Sequence, residues 1–489
     1  MTHMVGVLCK MNRELHITPS PPYARSMLSV CATLALAIAV LLAIDGGLLI
    51  QRATLAMQSA RGSLPDLWLP QEAKCAAMRA PFNPDPLGAE VRDGVRGQYL
   101  HACEHFAYQP EYEVTVLSCD PGRFNWNAVI GPLNDPTPRG ALWIHANNHT
   151  QRVPIGGYPA DHEFHPLGIA LWKMDNGAIR VFATNHARVR SSVEVIDMFP
   201  TKAGWHARFV RTVSHPTGTH AVNSLVALGP TSFIVTNTHV AVLRAPPVQD
   251  LRVLLKSLYG DFAARYAHLL TVPSLIPLLH SLDTALGFGF VAHVSFDGPA
   301  DIAVNVLTQG NLFPNGIALT PTQRALVVAS TVYPGLQIYT LPPHPDWSQI
   351  KLSSPVSIQV PFFADNIALA RRSTKVLGDP LDGHSVIVAG HPSAKDMEDR
   401  SRPAPSWVVN VYYAGVEAHD DAPVPADVRS RAPRGWHVHT LAQSNGSGGT
   451  AGEWVTIPAA TTAGWIQNNA FLISTLFNDA PVVCSGINN

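Results

Sequence analysis

Short apolar or alternating runs recur along most of the chain, separated by Pro, Gly, Asn and Asp. They are VTVLS (114–118), GALWIHA (140–146), IRVFATN (179–185), SVEVIDM (192–198), LQIYTL (336–341), SVIVAG (385–390), WVVNVYY (407–413) and AFLISTLF (470–477). Runs of this length between turn residues predict β-strands, and the fold class they predict is all-β. Two stretches depart from the pattern. From Val248 to Leu286 apolar residues fall at helical spacing, broken by Pro273 and Pro277, which predicts a helical insertion. From Met27 to Ile44 the chain is apolar and uncharged. That run is long enough to cross most of a hydrocarbon core of roughly 30 Å.

The strands are organised by a repeat. Phe164-His-Pro-Leu-Gly-Ile-Ala170 is echoed by Phe313-Pro-Asn-Gly-Ile-Ala318 and by Phe363-Ala-Asp-Asn-Ile-Ala368, and an apolar strand follows each. A degenerate copy, Ala221-Val-Asn-Ser-Leu-Val-Ala227, precedes FIVTN (233–237). Phe313 and Phe363 are 50 residues apart, and Phe164 and Phe313 are 149 apart, close to three such units. Propeller blades of four strands repeat at about 40–50 residues. The insertion explains why Asn223 and Asn315 are 92 residues apart.

The apolar run changes the compartment. Lys10, Arg13 and Arg25 precede it and Arg52 and Arg61 follow, which favours a cytosolic N-terminus. The organisation predicted is a cytosolic tail (1–26), a signal anchor (27–50), a linker (51–74) and a propeller (75–489) in the lumen or outside the cell. A cleaved leader is the alternative. Cys9 and Cys31 lie before or within the run, leaving Cys75, Cys103, Cys119 and Cys484 in an oxidising space with three possible pairings. Pairing Cys75 with Cys484 and Cys103 with Cys119 ties the start of a circular fold to its end, though spacing alone does not decide it. Sequons at Asn148 and Asn445 lie in polar, turn-like stretches suited to surface glycans. The formal net charge of −1, without long basic runs, argues against a nucleic-acid partner. The insertion either packs its apolar face on the ring or meets a membrane.

The chemistry lies at the entry of successive repeats. Glu104, Asn223, Asn315, Asp365 and Asn366 stand there, and equivalent positions of propeller blades converge on the central channel. Calcium takes about six to eight oxygen ligands, whereas zinc or copper would call for His and Cys. Each Asn taken singly also fits a turn; repetition in separate blades is what points to an ion. No Gly-x-Ser-x-Gly elbow is present, which argues against an acyl-serine mechanism.

Several stretches occur in the order found in the paraoxonase/arylesterase family, which the chain resembles over about 75–489. They are Cys103-Glu104, Phe164–Ile169, Thr184-Asn185-His186, Ser191–Glu194, Val222–Gly229, Thr236–His239, Phe313–Ile317, Asp365–Ile367, His391-Pro392, and Phe471–Phe477 with Cys484. The resemblance implies a six-bladed propeller with a retained N-terminal apolar segment and calcium in its channel, hydrolysing lactones and aryl esters. It implies Glu104, Asn223, Asn315, Asp365 and Asn366 as ligands of the catalytic calcium and supports pairing Cys75 with Cys484. Two departures stand out. Places where the family holds a second, structural calcium with acidic residues carry His105 and Ser224, so one channel calcium is expected. The family's first catalytic His is Leu167 here, so a His–His dyad is not available. His186, acting through water, and Glu104 are the expected catalytic bases, with His165, His239 and His391 as substitutes. The rival functions are a different reaction on a strictosidine-synthase or gluconolactonase type of propeller, and a non-catalytic, calcium-stabilised propeller that binds lipids or partners.

Overall fold

The structure is a computed structural model that describes residues 64–78 and 100–487, except 203, 245, 299–300, 333–334, 375, 400–402, 416–431, 448–455 and 478–479. Ala325–Ser330 and Phe471–Thr475 are buried along their whole length. Their continuous apolar sequence follows from their place, since both faces of each sheet pack on a neighbouring sheet.

The strands form six antiparallel sheets, the blades of a propeller. Taken in chain order, their inner strands are Cys103–Gln109, Pro166–Lys173, Val222–Gly229, Pro314–Leu319, Phe363–Arg371 and Ala460–Trp465. Each inner strand neighbours the next and the sixth neighbours the first, so the six enclose a channel. Apolar wedges fill the junctions between blades. Phe182 of blade 2 meets Phe233 of blade 3 with ring centroids 5.5 Å apart, and both are fully buried. Each such side chain contributes about 1.5–3 kcal/mol.

The ring is closed by pairing an early strand with the last one. Lys74–Ala77 pairs with Val482–Ser485 as the outer strand of blade 6, with Cys75 opposite Cys484, and these two form a disulfide. Cys103 and Cys119, opposite each other in blade 1, form the second. Leu67–Trp68, placed by the sequence in a linker, pairs with Ser444 and Gln443 at the edge of blade 5, so the sheets take in residues ahead of 75. No helix of the described residues is long and apolar enough to cross a membrane. The segment 27–50, where the sequence predicts an anchor, lies outside the described residues.

The insertion sits between the second and third strands of blade 3 and forms two helices, α1 (Val248–Ala264) and α2 (Ile276–Leu286). Leu251, Leu254, Leu255 and Leu258, at helical spacing, are the buried stripe of α1 and join the wedge of blades 2 and 3. Pro277 lies in the first turn of α2, where its missing N–H costs nothing. Asp283 docks α2 by accepting the amides of Val240 and Ala241, both at 2.6 Å.

Candidate active site

One local irregularity builds the site. Each inner strand carries an extra residue near its start, where the register slips against the second strand. A β-bulge of this kind breaks the ladder and re-aims side chains. Glu104 falls in the slip of blade 1, Asn223 and Ser224 in blade 3, Asn315 and Gly316 in blade 4, and Asp365 and Asn366 in blade 5. Leu167 and Gly168 hold the equivalent place in blade 2, and Thr461 in blade 6.

The bulges are packed against one another through backbone. A Cβ on Gly168 would lie 2.4 Å from the Asn223 carbonyl oxygen, and one on Gly316 would lie 2.6 Å from the Asn366 Cα. Hydroxyls in or just past the second strands tie five of the six bulges to the preceding blade. Thr184 donates to the Asn223 carbonyl at 2.8 Å, Thr236 to the Asn315 carbonyl at 2.7 Å and Thr331 to the Ala364 carbonyl at 2.7 Å. Ser118 donates to the Leu167 carbonyl, and Ser474 to that of Glu104 at 3.1 Å.

Glu104, Asn223, Asn315, Asp365 and Asn366 are all buried. Asn366 Nδ2 donates to Glu104 Oε1 at 2.5 Å, joining blades 5 and 1. Glu104 Oε2 and the side-chain oxygens of Asn223, Asn315 and Asn366 are buried without a hydrogen-bond partner among the described residues. Such orphaned acceptors are costly unless something electropositive meets them. Burial, and then the charge of Asp365, push the Glu104 carboxyl up to about 8, against the pull of Arg123 and Asn366. Two carboxylates and three amides, all oxygen donors, fit a hard divalent cation such as calcium in donor type and charge, leaving positions of its shell for water or substrate. No group of three or more His, Cys, Asp or Glu able to hold a metal occurs among the described residues. That leaves amide-rich oxygen coordination as the arrangement these residues can offer.

Two imidazoles flank the cluster. His186 Nε2 donates to the Val222 carbonyl at 2.5 Å, one residue ahead of Asn223, and burial with Arg244 nearby pushes its pKa down to about 3. His391 Nε2 donates to Asp365 Oδ2 at 2.7 Å, while its Nδ1 is buried with no partner among the described residues. The other sequence candidates stand apart. Both ring nitrogens of His165 are engaged, by Asp120 and the Pro136 carbonyl. His239 packs against His280 of α2 and is bonded to Thr238 and Thr284.

At the places where the resemblance sets a second calcium, the buried His105 is held neutral, its pKa pushed down to about 4 by burial, and its Nδ1 faces the Ile169 amide at 3.4 Å. Asn148 is exposed at a hairpin tip of blade 1, and Asn445 is half-buried with Nδ2 on Asp66.

Arg123 escaped the sequence reading. It is buried, donates to the Pro166 carbonyl at 2.6 Å, and its charge acts on both Glu104 and His186. It lies in a loop between strands, where no repeat marks it. The hydroxyl ties carried a fainter signal, a Ser or Thr near the end of the second strands.

Residues 133–250 match the family model described as Arylesterase. They carry Asn223, His186 and the entry to α1. The chain is 22% identical over 250 residues to serum paraoxonase/arylesterase 2 of Rattus norvegicus, covering 51% of this chain and 55% of that protein. The Gallus gallus protein of that name gives the same identity and coverage. The chain thus spans about half the length of the curated relatives it matches. Among solved structures, the PQQ domain of pyranose dehydrogenase from Coprinopsis cinerea is 9% identical with a TM-score of 0.41, covering 86% of this chain and 97% of that one. With its six bladed sheets and an arylesterase-type segment at 133–250, the chain resembles the serum paraoxonase/arylesterases.

Proposed function

We propose that the protein is a calcium-dependent hydrolase of aryl esters or lactones, with one calcium ion held by Glu104, Asn223, Asn315, Asp365 and Asn366. The observation that carries this reading is the set of four buried oxygens without a hydrogen-bond partner among the described residues, on Glu104, Asn223, Asn315 and Asn366, all in equivalent bulges around one channel. Calcium bound there would polarise an ester carbonyl and stabilise the oxyanion formed as water adds. Glu104 and Asp365 balance its charge. The neutral His105 and Ser224 do not favour a second ion.

The proton of the attacking water goes to an imidazole. A base with a pKa of about 3 takes up protons poorly at neutral pH, which weighs against His186. His391 is better arranged: Asp365 accepts its Nε2–H, so Nδ1 carries the lone pair that takes the proton. It then returns that proton to the departing alkoxide or phenoxide. His186 keeps the Val222 carbonyl, and with it the approach to Asn223, in place.

The insertion supports a membrane contact. Phe262 is 70% exposed on α1, its ring 5.4 Å from that of the exposed Tyr266. Aromatic side chains of this kind insert at lipid interfaces. Two disulfides agree with folding along the secretory route.

The test is the rate of hydrolysis of phenyl acetate and of δ-valerolactone by the full chain, in calcium and after chelation, with Glu104→Gln and His391→Gln alongside. Chelation and Glu104→Gln are each expected to remove at least 100-fold of the rate. A rate unchanged by both would sink the proposal.

A further inference from the structure

A cavity of about 230 Å³ opens beside the N-terminal end of α1, lined by Arg190, Ser214, His215, His220, Arg244 and Asp250 among others. Arg244 is 6% exposed. Its guanidinium donates to the Ala187 carbonyl at 2.5 Å, to the Ser191 hydroxyl and to the His220 carbonyl at 3.5 Å, all uncharged acceptors. No carboxylate among the described residues pairs with it. Asp250 on the cavity wall is gripped by Arg190 through bonds of 2.6 and 3.2 Å. Glu163, whose charge reaches Arg244, is held by Arg188 at 3.1 Å.

A buried cation without a counter-ion is expensive and calls for an anion. Arginine has five N–H donors, of which these bonds use three, leaving two for a ligand. His215 adds another donor. Its Nδ1 accepts the amides of Thr217 and Gly218, each at 3.1 Å, so the ring proton resides on Nε2. The volume suits a small polar group rather than a whole drug-sized ligand, whose pockets run to about 300–1,000 Å³. His220 is three residues ahead of Asn223, so their Cα atoms are at most about 11 Å apart.

We propose that this cavity is an oxyanion subsite that takes a carboxylate or phosphate carried on the substrate a few bonds from the scissile carbonyl. The cavity's affinity for anions stands alone; the assignment to a substrate arm rests on the hydrolase reading above. The preferred substrates are then acidic esters or lactones rather than neutral ones.

Acetate and sulfate, standing in for the two oxyanions, are titrated into the full chain by calorimetry, using wild type, Arg244→Gln and Ser214→Asp. Ser214 is exposed at the cavity rim, so Ser214→Asp sets a competing carboxylate beside an intact Arg244 and covers the case in which Arg244→Gln does not fold. Saturable binding by wild type, weakened at least 10-fold by Ser214→Asp, is expected, and the preferred anion tells carboxylate from phosphate. Binding that is absent in wild type, or unchanged in Ser214→Asp, overturns the subsite. The kcat/KM for monophenyl succinate relative to phenyl acetate should also fall about 10-fold in Ser214→Asp, with phenyl acetate itself unaffected. If wild type hydrolyses neither ester, the hydrolase reading fails while the anion titration still decides the cavity.

Discussion

Asn366 and Glu104 are separated by 262 residues of sequence and 2.5 Å of space, amide nitrogen to carboxylate oxygen. Blade 6 stands between the blades that carry them, so the bond reaches across the channel instead of along a blade junction. It commits one Glu104 oxygen to an uncharged donor and leaves the other bare. Burial and the charge of Asp365 oppose ionisation of that carboxyl and push it up to about 8, so without a cation the fold must bind a proton there at neutral pH.

Glu104→Gln therefore has effects of opposite sign in the two states. Without calcium the change removes a carboxyl that must take up a proton to be buried beside Asp365, and the melting temperature at neutral pH is expected to rise. The calcium increment is expected to vanish. For wild type that increment is about 2.7 kcal/mol at a free calcium concentration 100 times Kd. Calorimetric melts of both proteins in calcium and in chelator check it, and a wild-type calcium increment that survives the substitution would remove Glu104 from the ion's shell.

Gly316→Ala tests the close contact of the bulges. Its Cβ would meet the Asn366 Cα at 2.6 Å and the Asp365 carbonyl oxygen at 2.8 Å, both backbone atoms that cannot swing aside. Overpacking of this kind costs about 1–3 kcal/mol, and the shift falls on two proposed ligands. Calcium affinity is expected to drop at least 10-fold. Gly229→Ala, where nothing lies within 4 Å, is the control and should change neither quantity.

How much of this was legible depended on whether a residue repeats. Phe164, Ala221, Phe313 and Phe363 each open a motif at the entry of an inner strand, because the bulge imposes similar backbone in four blades. Blade 6 has the same slip in Ala460-Thr461-Thr462, without Phe, Asn or Gly to announce it. Leu67–Trp68 pairs over two residues, too few for any periodicity to register. Arg123 and the Arg244 cavity are products of loops brought together by the ring, and loop residues carry no repeat. The apolar runs, in contrast, marked the blades well, since their middle strands are buried on both faces.

Phe262→Ser addresses the exposed edge of α1. The side chain is 70% exposed, so folding stability should change by less than about 0.5 kcal/mol. Burying a Phe side chain in lipid contributes about 1.5–3 kcal/mol, or roughly 10- to 100-fold in partitioning. Sedimentation with anionic phospholipid vesicles reads it. Equal binding by variant and wild type would exclude Phe262 from any membrane contact.

The two disulfides should differ in weight. Cys75 and Cys484 are 409 residues apart, against 16 for Cys103 and Cys119. If chain entropy sets the gain, it is on the order of 5–6 kcal/mol for the long loop and about 3 kcal/mol for the short one. The pairs Cys75→Ser with Cys484→Ser, and Cys103→Ser with Cys119→Ser, unfolded in guanidinium chloride, give the order directly. A larger loss from the short loop would mean that local strand pairing outweighs closure of the ring.

Acid lability follows from three buried histidines. Burial pushes His186 down to about 3 and His105 and His220 each to about 4. In the unfolded chain each titrates near 6.5. Above pH 7 neither state holds the extra proton and the three contribute no pH dependence. As pH falls through 6.5 the unfolded chain takes up protons that the folded one refuses, so stability is lost progressively down to the folded values, by about 1.4 kcal/mol per group per pH unit. Between pH 7.5 and 5.5 the three together are expected to remove about 4 kcal/mol. Calcium loading keeps Glu104 from offsetting this, while Asp283, pushed up to about 7 by burial, returns about 2 kcal/mol, since proton uptake by these carboxyls in the fold runs the other way. Guanidinium unfolding at the two pH values, in saturating calcium, measures the difference. His220→Gln should lower the loss by about 1.4 kcal/mol, because the ring now donates to the Val240 carbonyl and glutamine can supply a neutral N–H in its place. Equal stability at both pH values would mean that these imidazoles are hydrated and free to charge in the folded protein.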